Sequence, residues 1–153
     1  MTSTVWLPRE MRSILLGILN TQARHFAHAG TESPDEEEQA YLDGCRSAVE
    51  SLLLAFGIPL PAAPLGSTSP EVPDAVSLSH DSWVPQDMAN ILNAMAFSAS
   101  SGPWARAAEG AAGAFHRGFM ETLQTAAQAF GIPLAAPRPR QRKGAPSFLF
   151  LDE

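Results

Sequence analysis

The sequence predicts an all-α protein: two duplicated helical hairpins that form a four-helix bundle, with a long Pro-rich crossover and an extended C-terminal arm. The first observation is a repeat. VWLPREM at residues 5–11 returns in altered form as SWVPQDM at residues 82–88, and AFGIPL at residues 55–60 returns unchanged at residues 129–134. Self-similarity of this kind indicates a duplicated supersecondary unit. The second observation is that apolar residues recur at helical spacing between these motifs.

Composition and the repeat together predict four segments. A chain of 153 residues that is 45% apolar and 17% charged has the size and content of one globular domain. We expect a first hairpin at 1–60, a Pro/Ser-rich crossover linker at 61–81, a second hairpin at 82–134 and a basic Pro-rich arm with an apolar tip at 135–153. The linker is long enough to run along a bundle, so it permits either a pseudo-two-fold arrangement or a swap between two chains.

The two hairpins are predicted to begin in the same way. Proline is favoured at the first helical position, which makes Leu7 and Val84 the cap residues. Glu10 and Asp87 then stand at the third position, where a carboxylate can bind free N–H groups and meets the positive end of the helix dipole. Each tryptophan before the cap is placed to pack on the methionine of the first turn.

The first predicted helix spans about 8–28, and its inward stripe includes Met11, Leu15 and Leu19. The second has the clearest start, with Ser33 as cap, a proline in the first position and a capping-box glutamate at position 36. Its stripe comprises Tyr41, Cys45, Ala48, Val49, Leu52 and Phe56. Gly57 is predicted to end this helix, because glycine is favoured just after a helix C-terminus.

The third predicted helix spans about 85–99, and the fourth runs from about 103 to 130, where Gly131 is predicted to end it. The stripe of the fourth helix comprises Ala108, Ala112, Phe115, Phe119, Leu123, Ala126 and Phe130. Gly44 and Gly118 hold matching places in the second and fourth helices. Because a glycine costs a helix interior roughly 1 kcal/mol relative to alanine, the match predicts a close helix approach at these positions.

Composition also bounds the environment of the protein. The formal net charge is −6, and Cys45 is the only cysteine, so no disulfide can form within the chain. The N-terminal residues lack the pattern of a secretory signal, and the apolar runs are too short to span a bilayer. We therefore expect a cytoplasmic protein without membrane contact.

The residues capable of chemistry do not form a pattern typical of an enzyme. His25, His28 and Glu32 have a spacing that can serve a metal, but a solvated helix end is the favoured interpretation. The acidic run at 35–38 is what the helix dipole favours in a first turn. Cys45 lies in an apolar stripe, which indicates a small core residue. We expect no catalytic residue, no metal site and no cofactor.

Two features of the arm point to binding. Four basic residues can attract nucleic acid weakly through its phosphates: Arg138, Arg140, Arg142 and Lys143. Beyond them come four large apolar residues: Phe148, Leu149, Phe150 and Leu151. An apolar tip of this kind can enter a groove or add a strand to a sheet of a partner protein. It can also fold back on its own bundle.

The leading hypothesis is a non-enzymatic small helical subunit or adaptor that assembles into, or regulates, a larger complex. It would use its bundle surface and its arm to bind a protein partner, which includes a second copy of the chain. One alternative is a nucleic-acid-associated accessory protein that uses the basic tail. A second alternative is a small-molecule sensor or enzyme with a pocket between the hairpins.

Overall fold

The structure is a computed structural model of the chain, and it describes residues 5–27, 35–60, 82–102 and 109–134. These ranges form an all-α bundle of four helices: α1 (Pro8–Ala27), α2 (Glu36–Ala55), α3 (Pro85–Ser101) and α4 (Gly110–Ala129). The predicted crossover at 61–81 and the arm at 135–153 lie outside the described residues. The all-helical prediction is confirmed for the described part of the chain.

The centre of the bundle is the pair α2 and α4, which share the most extensive interface between helices. Helix α1 packs against both members of this pair, and α3 packs against α4. Gly44 and Gly118 lie where the two central helices cross. A Cβ atom added to Gly44 would lie 2.1 Å from the carbonyl oxygen of Phe115, and one added to Gly118 would lie 2.1 Å from that of Tyr41. The predicted close approach at these glycines is confirmed.

The helix starts follow the predicted chemistry with two corrections, of which the first concerns α2. Asp35, rather than Ser33, is its N-cap, and Glu38, rather than residue 36, completes the capping box. Asp35 Oδ1 accepts from the Glu38 amide at 2.8 Å, and Glu38 Oε2 accepts from the Asp35 amide at 3.3 Å. Aspartate is as favourable an N-cap as serine, so the capping box forms two residues later in the chain than predicted.

The second correction concerns α4, which begins at Gly110 and not near residue 103. Its N-cap, Glu109, has extended backbone angles, and Gly110 has a φ of +69°. A positive φ cannot be part of a regular right-handed helix, so the helix does not continue upstream through this glycine. Alanines, which favour helices, lie on both sides of residues 109–110, so the sequence pattern did not indicate this break.

Helices α1 and α3 begin at the predicted prolines but are capped differently. The Leu7 amide donates to Glu10 Oε2 at 3.2 Å, as predicted for a carboxylate at the third helical position. Val84 is the N-cap of α3, and no side-chain hydrogen bond caps that helix. Asp87 is one methylene shorter than Glu10, which explains the difference.

The two central helices end in the same way. Gly57 and Gly131 have φ values of +67° and +69°, the left-handed conformation expected of a glycine just beyond a helix. The Ile58 amide donates to the Leu53 carbonyl at 2.8 Å, and the corresponding bond after α4 is also 2.8 Å. The predicted glycine stops are confirmed at both helices.

The core is formed by the inward faces of all four helices, and its largest fully buried side chains are Phe56, Met11, Leu15, Leu52, Leu53, Met88, Leu92 and Leu123. The predicted stripe of α4 is partly wrong. Ala112 is exposed and Phe115 and Phe119 are half-buried, whereas Gly113 and Ala114 are buried. Close contact with α2 requires small residues on the touching face of α4, so the phenylalanines lie beside the crossing.

Candidate functional site

The segments that precede α1 and α3 pair with each other. The Trp6 amide donates to the Trp83 carbonyl at 2.9 Å, and the Trp83 amide donates to the Trp6 carbonyl at 2.8 Å. This reciprocal pair is an antiparallel β-bridge between the corresponding residues of the repeated motif. The sequence pattern did not predict it, although the recurrence of the motif was the available signal.

Beneath this bridge, four aromatic rings join the ends of all four helices. Trp6 meets Phe130 edge to face with ring centroids 5.4 Å apart, and Trp83 meets Phe56 in the same manner at 5.3 Å. The two phenylalanine rings are 6.3 Å apart and nearly perpendicular. Such edge-to-face contacts stabilise beyond simple burial. We call Trp6, Phe56, Trp83 and Phe130 the aromatic quartet.

Large apolar side chains are exposed at the end of the bundle that carries the quartet. Val5 and Val84 are 44% and 40% exposed, and they stand opposite each other beside the tryptophan bridge. Side chains alternate between faces in paired extended segments, so both valines point away from the tryptophan side. Leu54 and Leu60, near the end of α2, are 63% and 42% exposed. We call Val5, Leu54, Leu60 and Val84 the apolar end.

The candidate residues for chemistry are not brought together within the part of the chain that the structure describes. His25 is exposed, whereas His28 and Glu32 lie outside the described residues. Within the ranges that the structure describes, no three histidine, cysteine or acidic side chains come together as metal ligands. Asp35 and Glu38 form the capping box of α2. The predicted partner-binding residues 148–151 and the basic residues of the arm also lie outside the described residues.

Cys45 is a core residue, as the sequence predicted. Its side chain is fully buried, and its Sγ donates to the Gly118 carbonyl at a donor–acceptor distance of 3.5 Å. Burial raises the pKa of the Cys45 thiol. A thiol that is protonated and shielded from solvent is a poor nucleophile, so this cysteine has no catalytic environment.

A hydrogen bond between Tyr41 and Glu121 joins α2 to α4 on one side of the glycine crossing. Tyr41 Oη donates to Glu121 Oε2 at 2.5 Å. Burial first, and then this hydrogen bond to a carboxylate, raise the pKa of the Tyr41 phenol. Both effects disfavour the phenolate, because one removes its solvation and the other places a negative group beside it.

Tyr41 is therefore expected to resist ionisation in the folded protein. It is the only tyrosine in the chain, so the near-ultraviolet absorbance of phenolate reports on this residue alone. Because its folded-state pKa is raised, stability is present below about pH 10 and falls as pH rises above that unfolded-state value. We expect phenolate to appear only as the helices unfold, and Tyr41→Phe to show a smaller alkaline loss of stability. Phenolate formation near pH 10 with unchanged circular dichroism would contradict this.

Comparisons with known proteins add no assignment, since no protein-family model, curated protein or solved structure matches the chain. Among the described helices, none combines the length and the apolar character needed to cross a membrane.

Proposed function

We propose that this protein is a non-enzymatic helical subunit or adaptor that binds a partner protein through the apolar end, with the C-terminal arm as a second contact. The observation that supports the proposal most is the apolar end itself. It contains four of the five large apolar side chains that are exposed in the described part of the chain. Concentrated exposed apolar surface is typical of protein interaction sites.

The position of Val84 supports an interaction rather than a structural role. Serine, threonine, aspartate or asparagine at an N-cap satisfies an amide that valine leaves without a side-chain acceptor. Val84 forms no side-chain capping bond, and 40% of the residue's surface is exposed. Its apolar surface is better explained by contact with another molecule than by the stability of α3.

We further propose that the bundle consists of two copies of one helical hairpin joined by the crossover. Three features support this: the tryptophan bridge, the glycine crossing and the matching helix ends. The bridge joins corresponding residues of the two copies, the crossing makes the same contact from each copy to the other, and the helix ends repeat the same hydrogen bond within each copy. The arrangement places both copies of the opening motif at one end of the bundle, beside the proposed interface.

The test removes apolar surface without unfolding the protein. Val84→Ser is expected to raise the free energy of unfolding by about 1 kcal/mol, because serine can cap α3. Combined with Leu54→Gln, which copies the corresponding Gln128, it removes two side chains of the apolar end. Capture of partner proteins from extracts of the native host is expected to fall, while urea unfolding shows a protein at least as stable as the parent.

The matched control is Phe97→Asn, which copies the corresponding Asn20. Phe97 is 75% exposed but lies on α3 away from the apolar end, so this variant is expected to retain the partner. A version that ends at Pro137 measures the contribution of the arm. Equal capture by the parent and the Val84→Ser/Leu54→Gln variant would contradict the proposed interface. Capture that nuclease treatment abolishes would favour nucleic-acid association instead.

A further inference from the structure

The C-terminal arm leaves the bundle at the end that carries the aromatic quartet. Phe130, the C-cap of α4, contacts Trp6 with ring centroids 5.4 Å apart. The chain continues through Ile132, which is buried, to Leu134, which packs against the core. Leu134 is the last residue that the structure describes before the arm. The arm therefore begins beside the apolar end.

The members of the apolar end surround this starting point. Val5 and Val84 lie beside the bridge of Trp6, whose ring contacts the C-cap of α4. Leu54 and Leu60 are carried by the end of α2, which is next to the end of α4, because the rings of the two C-cap residues are 6.3 Å apart. Packed helices lie about 8–10 Å apart, so the apolar end is within about two such spacings, roughly 20 Å, of the start of the arm.

The length of the arm suits this distance. Thirteen residues, 135–147, separate Leu134 from the four large apolar residues at 148–151, which we call the apolar tip. A chain of thirteen residues spans about 20 Å on average when it is flexible, and about 45 Å when it is fully extended. A connection whose average span matches the distance to its site gives a high effective concentration there.

The tip and the apolar end have matching chemistry. The tip consists of two phenylalanines and two leucines, and the apolar end presents two valines and two leucines that are at least 40% exposed. Contact between the two surfaces removes apolar area from water on both sides, which is favourable in proportion to the area. Covering the apolar end also removes a concentrated apolar patch from the surface of the bundle.

The charges of the arm also match those of the bundle. Four of the ten basic residues of the chain lie at 138–143, between the bundle and the tip. The described ranges carry ten acidic and five basic residues. The first turns of α1 and α3, next to the apolar end, contain Glu10 and Asp87 together with one basic residue, Arg9. Attraction between the basic segment and an acidic bundle therefore holds the arm close to the surface.

We propose that the apolar tip binds the apolar end of its own chain in the free protein and competes with the partner protein for this surface. The competition rests on the function proposed above, because the tip covers the surface assigned to the partner. Partner binding displaces the tip and releases the arm as the second contact. For a tip affinity of about 0.1 mM and an effective concentration of about 1 mM, about nine molecules in ten are closed, and the partner binds about tenfold more weakly than to the open form.

The first experiment measures the contact in the full chain by NMR. A nitroxide spin label is attached to Ser147→Cys, and Cys45 does not take the label because it is fully buried. The amide resonances of Val5, Leu54 and Val84 are expected to broaden, whereas those of the first turn of α2 stay sharp. Isotope-labelled chains without nitroxide, mixed with unlabelled chains that carry it, are expected to show no broadening. Broadening in this mixture would assign the contact to two chains and would overturn the proposal.

Variants of the bundle test the other side of the contact. Val84→Ser combined with Leu54→Gln is expected to abolish the broadening caused by the label at residue 147. Phe97→Asn is the matched control and is expected to retain it, since Phe97 is exposed but lies away from the apolar end. Circular dichroism checks that both variants fold. Sharp resonances at the apolar end of the parent, or unchanged broadening in the double variant, would overturn the proposal.

The second experiment tests the competition with a reversible lock. Leu149→Cys combined with Val84→Cys allows a disulfide that holds the tip on the apolar end. The oxidised protein is expected to capture at least tenfold less partner from extracts of the native host than the same variant after reduction. Equal capture by the two forms would overturn the competition.

The two experiments distinguish a failure of this proposal from a failure of the proposed function. If the label causes no broadening and capture still depends on Val84 and Leu54, this proposal alone is overturned. If the label causes broadening and capture does not depend on those residues, the proposed function is overturned, and the competition with it.

Discussion

Replacing Gly44 by alanine is expected to lower the free energy of unfolding by about 3 kcal/mol, the upper part of the usual range for overpacking. The added methyl group would lie 2.1 Å from the Phe115 carbonyl oxygen, far inside contact distance. The obstructing atom belongs to the backbone of α4, so no rotamer change can relieve the clash. The two central helices would have to separate, which would open the most extensive interface of the bundle.

The sign of this effect distinguishes packing from helix propensity. Alanine is a better helix former than glycine by about 1 kcal/mol, so propensity alone predicts stabilisation. Gly17→Ala isolates that contribution, because Gly17 is in α1 and a Cβ there meets nothing within 4 Å. Urea unfolding should show Gly17→Ala to be more stable than the parent and Gly44→Ala to be much less stable. Stabilisation by both substitutions would mean that the helices do not cross at Gly44.

Replacing Phe56 by alanine is expected to lower the free energy of unfolding by about 4 kcal/mol. The side chain is only 2% exposed and contacts the rings of Trp83 and Phe130. Its removal leaves a cavity in the aromatic quartet where the ends of the helices meet. Thermal or urea unfolding measures the loss, and a red shift of tryptophan fluorescence is expected as solvent reaches Trp83.

Phe97→Ala is the matched control for this substitution, since Phe97 is 75% exposed. Surface substitutions of this kind change stability by about 0.5 kcal/mol or less. A similar cost for Phe56→Ala and Phe97→Ala would contradict the quartet as the centre that joins the helix ends.

Most of the candidate site was not predictable from local patterns. The pairing of Trp6 with Trp83 joins residues on either side of the predicted crossover, and neither neighbourhood resembles a strand. The same motif was interpreted as a helix start, which the structure supports, because proline and the following acid act within one turn. The partner of each tryptophan ring lies on a distant helix, so no local rule identifies it.

A cleft between α3 and the two central helices, with Ser47, Ser51 and His116 among its lining residues, illustrates the same limit. The sequence allowed a pocket between the hairpins only as its last alternative, because the apolar stripes left few polar groups to line one. Ser47, Ser51 and His116 fall outside those stripes and were not singled out. They become neighbours because α3 and the two central helices meet around one space. Comparing corresponding residues of the two copies was the signal that was available, since Phe115 and Ser47 stand where the first pair has Tyr41 and Glu121.

The sequence by itself determined the features that depend on neighbouring residues: the four helices, the glycine stops at Gly57 and Gly131, and the proline starts of α1 and α3. Helical periodicity and capping act over a few residues, so they can be read from one chain. Only the tertiary structure decided which helices form the central pair, which face of α4 is buried and where the cleft opens. These depend on the crossing at Gly44 and Gly118, where contact between two backbones sets the position of every neighbouring side chain.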